Sequence, residues 1–389
     1  MKPPRVVVLG FMGACPIAGV LWQHLHYIES LRRLGADVWY VEDTSRYPYN
    51  PVTFDTSGDY AYAAESIAAV MAKCQLPDRW GYVAGHLPEG GGAGLDPVKA
   101  RALIREADVV LNVCGSHDLT PDMQAARCLV YVESDPGVEQ IKVAKGDAHT
   151  IAFLRAHHHL FTFGEWIPAG KFVVPTPEFT WLPTRQPVVV DFWQEGAAPI
   201  QRNCYSTIAN WSTSGQKDIE WESERYLWSK SLEFLKFCET PRLAGVSVEM
   251  ATDIKDAKTA SRFTENDWTL ALPHELSVGT TDYCEYIRAS RGEFTVAKDQ
   301  YVRLKTGWFS DRSACYLAAG RPVITQETGF SEVYGRPAGG LLGYGSVEEA
   351  VEALRRVEQN YSYHAEQATK VAREIFEGTK VLGDLLARI

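Results

Sequence analysis

Residues 5–42 constrain the fold more than any other stretch. Arg5-Val-Val-Val-Leu-Gly10 is a β-branched run closed by glycine, the pattern of a strand buried on both faces of a parallel sheet. After a loop, Val20, Leu21, His24, Leu25, Ile28, Leu31 and Leu34 recur at helical spacing. Gly35 then stands where a left-handed cap belongs, and Asp37–Glu42 is a second strand. Strand, helix and strand in that order cross over right-handedly and predict a doubly wound α/β sheet. The intervening loop carries Gly10, Gly13 and Gly19, which do not form G-x-G-x-x-G, so the dinucleotide fingerprint is absent. Gly10 and Gly13 either let a ligand approach the backbone or serve as turn residues.

The alternation continues. Tyr60–Lys73 is helical by composition, and Asp96 followed by Pro97 starts another helix. Ala107–Val113, Cys128–Val132 and Leu160–Phe163 read as strands. Polar residues follow each: His117 and Asp118, then Glu133 and Asp135, then Glu165. In a parallel sheet these carboxyl ends share one crevice, so three polar ends in succession predict a cleft rim. His117 beside a carboxylate suits proton abstraction near pH 7, and equally suits a capped turn. His24 shares a helix face with Leu21, Ile28 and Leu31, which places it in the core or on the rim. The eight cysteines include no C-x-x-C pair, and His157-His158-His159 has no partner cluster at ligand spacing. Reduced thiols and no metal are expected.

Pro175–Pro187 holds four prolines in thirteen residues and reads as an extended connection between two domains. Beyond it, strands are predicted at Val188–Phe192, Cys204–Ile208, Gly245–Met250, Trp268–Leu272 and Pro322–Thr325. Helices are predicted at Tyr226–Cys238, Asp282–Ala289 and Ser310–Ala319, with long terminal helices at Val347–Asn360 and Ala365–Ile389. Gly292–Val296 reads as a short extended piece. Trp211 and Trp221 flank a polar, glycine-containing segment and are candidates for stacking on a ligand. With 39 basic and 49 acidic residues the chain carries −10, a poor balance for non-specific nucleic-acid binding that still allows a local basic pocket. No apolar run is long enough to span a bilayer, and the N-terminus enters a strand at once. A cytoplasmic location without a transmembrane segment is therefore expected.

The densest chemistry lies in Ser290–Phe330. Arg291 and Lys298 flank an extended segment and suit two phosphates. Ser310 caps a helix whose first turn holds Asp311 and Arg312, and such a helix start offers N–H groups to an anion. Ala319-Gly-Arg-Pro-Val-Ile-Thr325 then leads to donors at Gln326, Thr328 and Gly329.

This helix-to-strand element and its Thr-Gly turn resemble the nucleotide-sugar-binding half of GT-B glycosyltransferases. The resemblance implies two Rossmann-like domains facing across a cleft. An acceptor domain would span residues 1–182, a nucleotide-sugar domain 183–360, and a helix at 361–389 would cross back to the first domain. It also implies metal-independent sugar transfer from a nucleoside diphosphate sugar, a co-substrate rather than a cofactor, to a small-molecule acceptor. Donor contacts would come from Arg291, Lys298, Ser310, Arg312, Gln326, Thr328 and Gly329, the base from His117 with Asp118, and the acceptor rim from Gly13, His24, Glu133 and Asp135. Glu133-Ser-Asp135 is similar to the D-x-D of metal-dependent sugar transferases, but a turn before Pro136-Gly137 explains it as well, and no metal is assigned. Many retaining members carry two glutamates eight positions apart; here those positions are Gly307 and Cys315. The ribose contact stays open between Glu293 and Glu327. An epimerase of the same layout, or a protein that binds the nucleotide sugar without turning it over, remains an alternative, and a homodimer is left open.

Overall fold

The computed structural model describes residues 3–88, 90–195, 200–212 and 217–389. Two sheets organise it. The first runs in the order Trp181–Pro183, His159–Thr162, Leu129–Glu133, Val109–Val113, Arg5–Leu9, Asp37–Glu42, Trp80–Val83 and Gly92–Gly94. Every pair is parallel except the last, an antiparallel edge. Val6, Val7, Val8 and Leu9 are wholly buried, as a central strand covered by helices on both faces must be. The second sheet is all parallel: Trp268–Ala271, Val248–Ala251, Tyr205–Ile208, Gly292–Thr295, Val323–Gln326 and Leu341–Tyr344.

Each sheet reverses its strand order once, between Arg5–Leu9 and Val109–Val113 in the first and between Tyr205–Ile208 and Gly292–Thr295 in the second. Crevices open at such reversals, beyond the carboxyl ends of the strands. The segment Gly292–Val296, expected to be a short extended piece, supplies the central strand Gly292–Thr295. Leu341–Tyr344 is a strand that the sequence pattern does not announce, because Gly340 before it and Gly343 within it break the apolar run.

Val188–Phe192 is not a strand. Val188 makes one parallel bridge to Glu377, and Val190–Gln194 is a short helix. Val188, Val189 and Val190 are apolar because they cross between the domains inside the core, not because they pair in a sheet. Tyr226–Cys238 is not one helix either. Glu224–Tyr226 pairs with Ile219–Trp221 in a hairpin, and only Ser231–Lys236 coils. The C-terminal helix is interrupted: Tyr361–Val371 passes through a π turn at Ala372–Phe376 into Gly378–Leu386. The interruption frees backbone for the crossing segment. Val188 N–H donates to Phe376 O at 2.8 Å, and Gly378 N–H donates to Val188 O at 2.8 Å. The last helix then packs on helix Ala18–Arg33.

Gly378 is required there by proximity. A Cβ at this position would sit 2.0 Å from Ser30 Oγ and 3.4 Å from Val188 O. Gly378→Ala is expected to cost about 1–3 kcal/mol, the range for forcing atoms into a filled interior. Denaturant unfolding of the variant should show a lower midpoint, and an unchanged midpoint would mean that the junction yields freely.

Candidate active site at the interdomain cleft

The carboxyl ends of both sheets open onto one cleft of about 640 Å³. From the first sheet come Phe11, Cys15 and Ile17 after the first strand, Cys114 and Ser116 after Val109–Val113, and Ser134 and Asp135 after Leu129–Glu133. The second sheet contributes Ile208, Ala209 and Asn210, with Lys298 beyond Gly292–Thr295. Five cationic side chains line the cleft (Arg46, Lys217, Lys230, Lys298 and Arg312) against two carboxylates, Asp135 and Asp311. In a chain of net charge −10 this is a local reversal of sign.

Arg312 is fixed from beneath. Its Nε donates to Oε1 of the wholly buried Glu293, NH1 to Ile208 O at 2.6 Å, and NH2 to Thr295 Oγ1 at 3.0 Å. The guanidinium is thereby held at the strand-order reversal. Lys298 Nζ donates to Asp135 Oδ1 at 2.9 Å and to the Tyr301 hydroxyl at 3.1 Å, and lies 3.2 Å from the centre of the Trp228 ring. Burial pulls the Lys298 ammonium below its usual range against the attraction of Asp135. Burial also works against ionised Asp135, yet Lys298 and the Tyr301 hydroxyl hold it below the ordinary carboxylate range, so Asp135 is ionised. Lys230 is buried, and its ammonium has no hydrogen-bond or ion-pair partner among the described residues. Desolvation, then Arg312 and Lys298 beside it, push its ammonium far below the usual lysine range. An entering anion would reverse that deficit. Helix Asp311–Ala318 points its first turn at the same place, and the Ser310 side chain makes no cap hydrogen bond to it.

Of the expected donor residues, the structure brings Lys298, Ser310 and Arg312 together on the cleft and leaves four elsewhere. Arg291 lies at the opposite end of Gly292–Thr295, where Nε and NH2 donate to Glu358 at 2.6 and 2.7 Å over the Tyr361 ring. It sits there because it precedes its strand, whereas ligand crevices form beyond strand ends. Gln326 spans Ala297 N–H and Glu233 inside the domain. Thr328 is buried, its hydroxyl donating to Trp308 O. Gly329 (φ +104°) faces Trp166 of the first domain, whose ring would lie 2.7 Å from an added Cβ. Gly307 (φ +76°) meets the same ring at 3.0 Å. Trp166 therefore occupies the space in which a side chain at position 307 would begin. Of the two candidates for the ribose, Glu293 is committed to Arg312, and Glu327 accepts the N–H groups of Thr328, Gly329 and Ser331.

On the first domain, Asp135 reaches the cleft, and His117, Asp118, Gly13, His24 and Glu133 do not line it. His117 Nε2 accepts the Asp43 N–H at 2.8 Å, which leaves the proton on Nδ1, donated to Ser116 Oγ at 2.9 Å. Burial, then the charge of Arg46, lower the ring to about 3. With both nitrogens engaged inside the protein, His117 ties the loop after Asp37–Glu42 to the loop after Val109–Val113. Asp118 is exposed. Gly13 and Ala14 turn their N–H groups onto Glu42 Oε2 and Oε1, each at 2.7 Å. The loop that would face a phosphate in a dinucleotide-binding fold is filled by a carboxylate of its own chain, which burial lifts to about 7 against those bonds. His24 is buried against Gly10, whose Cβ would collide with its ring. Glu133 accepts from Gln140 and Thr162, and burial raises it to about 8. Among the described residues no group of three or more His, Cys, Asp or Glu is placed to hold a metal ion.

Lys230 and Trp228 escape sequence reasoning because they fall inside the stretch that reads as one helix. Asp311 stands out there only as a first-turn residue. Trp211 packs on Phe234 and Phe263 in the second core, and part of the segment between Trp211 and Trp221 lies outside the described residues.

By sequence the chain matches no described protein family and no curated protein. Solved structures do resemble it. AviGT4, a glycosyltransferase involved in avilamycin A biosynthesis, superposes with a TM-score of 0.56 at 10% identity over 99% of this chain and 97% of its own. An α-glucosyltransferase in complex with UDP-glucose and DNA containing an abasic site gives 0.54 at 10% identity, covering 100% and 99%. Anabaena Alr3699/HepE, in complex with UDP and glucose, gives 0.53 at 10%, covering 99% and 100%.

His117→Ala would leave the Asp43 N–H without its acceptor, at a cost of about 1–3 kcal/mol. Denaturant unfolding should register that loss while calorimetric affinity for a nucleoside diphosphate stays unchanged; a stable variant with altered affinity would return His117 to the site. From these matches and the two facing sheets, the fold of the chain is that of the GT-B glycosyltransferases.

Proposed function

We propose that the chain transfers a glycosyl group from a nucleoside diphosphate sugar to a small-molecule acceptor without a metal ion. The observation that carries this is the cleft itself: five basic side chains and a helix N-terminus gathered at the strand-order reversals of an acidic protein. A departing nucleoside diphosphate needs its developing charge neutralised, and preorganised cations in a water-poor cleft do this without a bound ion. Arg312 and Lys230, with the first turn of Asp311–Ala318, are the diphosphate contacts. Lys298 closes the site from its pairing with Asp135. The opposite wall, with Phe11, Ile17, Val20 and Trp22, is largely apolar and suits the body of a small acceptor. Some solved relatives in fold are in complex with UDP or UDP-glucose, which makes these the first donors to test. The α-glucosyltransferase complexes hold DNA as well as UDP or UDP-glucose; the −10 charge of this chain disfavours a polyanionic acceptor.

Arg312→Ala and Lys230→Ala should each weaken UDP binding about tenfold or more, since a charged hydrogen bond to phosphate is worth about 1.5–3 kcal/mol. Arg291→Ala, at the far end of its strand, should leave affinity within about twofold. Isothermal titration of the three variants checks this, and unchanged affinity in the first two would remove the diphosphate from this cleft. Turnover should also persist in EDTA. Loss on chelation with recovery on Mg²⁺ would instead give Asp135 a metal to hold.

A further inference from the structure

Asp311 is the one cleft carboxylate that no cation pairs with among the described residues. The other, Asp135, is taken by Lys298. Asp311 stands at the seam of the two domains. Its carboxyl group meets the Gln23 side chain of the first domain, and Arg312 and Asp135 act on its charge. Tyr27 and Cys114 feel its charge from the first domain, and Lys298, Tyr301 and Cys315 from the second. It lines the same cleft as the cations proposed for the diphosphate and the apolar wall proposed for the acceptor. The positions that match the paired glutamates of retaining GT-B enzymes offer no second carboxylate, since Gly307 lies under Trp166 and Cys315 is a thiol buried beside His26.

We propose that Asp311 is the general base of an inverting transfer. The proposal rests on the glycosyltransferase reading of the cleft. In the step, the Asp311 carboxylate takes the proton of an acceptor hydroxyl. The oxygen lone pair so released forms the bond to the anomeric carbon, on the face opposite the diphosphate. The bond from that carbon to the diphosphate oxygen breaks, and its electron pair leaves with the nucleoside diphosphate, beside Arg312 and Lys230. The proton stays on Asp311 until solvent removes it, so atoms and charge balance with no further reactant. A single displacement inverts the anomeric centre. Two cleft carboxylates in unlike surroundings suit this division of labour: one is locked as an ion, and the other is lifted by burial and by Asp135 to about 7, where a base works best.

Water can stand in for the unknown acceptor, so the test uses UDP, UDP-glucose, the wild type and Asp311→Asn. Calorimetry with UDP should give equal or tighter binding in the variant, because a negative charge has been removed. Glucose release from UDP-glucose should fall about 10²–10⁴-fold in the variant. In the wild type the rate should rise with pH from about 5 through about 7, following ionisation of the base, and the variant should lose that rise. Proton NMR of the first product should show β-glucose from the α-linked donor. α-Glucose, a variant that keeps more than about a tenth of the rate, or a wild type that binds UDP yet releases no glucose above the uncatalysed rate would each overturn the proposal. A wild type that binds neither UDP nor UDP-glucose would instead overturn the donor reading on which it rests.

Discussion

The ion pair between Glu293 and Arg312 sets the rest of the site. Glu293 is wholly buried on the central strand of the second sheet, and the Arg312 side chain is only 12% exposed. Removing two charges from water is costly, and a buried pair persists when its remaining donors and acceptors are used. Arg312 uses the Ile208 carbonyl at the end of one strand and the Thr295 hydroxyl at the end of its neighbour. The strand-order reversal of the second sheet is thus fastened by a single guanidinium. Below it Thr207 and Thr295 share a hydrogen bond of 2.9 Å, and Ser206 meets Ser290 and Tyr316 at 2.6 Å. This polar floor holds Arg312 through three separate acceptors, so the guanidinium above it is preorganised before any ligand arrives.

The two domains are registered by contacts that tolerate little sliding. Trp166 enters a slot whose walls are two left-handed glycines, Gly307 and Gly329. Trp308 Nε1 donates to Ser134 O at 2.8 Å, Trp22 Nε1 donates to Thr280 O at 2.9 Å, and Gln186 donates to Phe309 O. Each is an aromatic or amide donor aimed at a backbone carbonyl of the other half of the chain. Lys298–Asp135 adds an ionic contact inside the cleft, stacked on Trp228.

The sheets were legible in the sequence where burial is symmetrical. The run Arg5–Leu9 and the strand before Cys114 read plainly because both faces are covered, and a parallel strand then has no polar alternation to mislead. Val188–Val190 failed for the same reason: three buried valines look like a strand, but they pack against terminal helices contributed from the far end of the chain. The site was legible where a local rule applied, as at Ser310 and Arg312, the start of a helix after a loop. It was illegible at His117 and Gly329, whose fates depend on Asp43 and on Trp166. No spacing in the sequence announces that a ring from one domain will fill a glycine slot in the other. Lys230 illustrates the converse, since its burial beside Arg312 and Lys298 becomes visible only when the chain has folded around it.

Charge explains why the chemistry gathers at one helix start. The chain as a whole repels anions, so an anionic ligand is drawn in only where local basic groups outweigh that background, and here five basic side chains face two carboxyl groups. A third ionised carboxylate in the cleft would erode that excess. The glycine at 307 and the thiol at 315 are consistent with this limit, as is the enclosure of Glu293, Glu42 and Glu133 in hydrogen bonds away from the cleft. Asp135 is tolerated because Lys298 neutralises it. Asp311 is tolerated because burial keeps it partly protonated near neutrality, so it repels an incoming diphosphate less than a full charge would. The fraction that stays ionised near neutrality is the form that the proposed proton transfer requires, so the same environment suits both proposed roles.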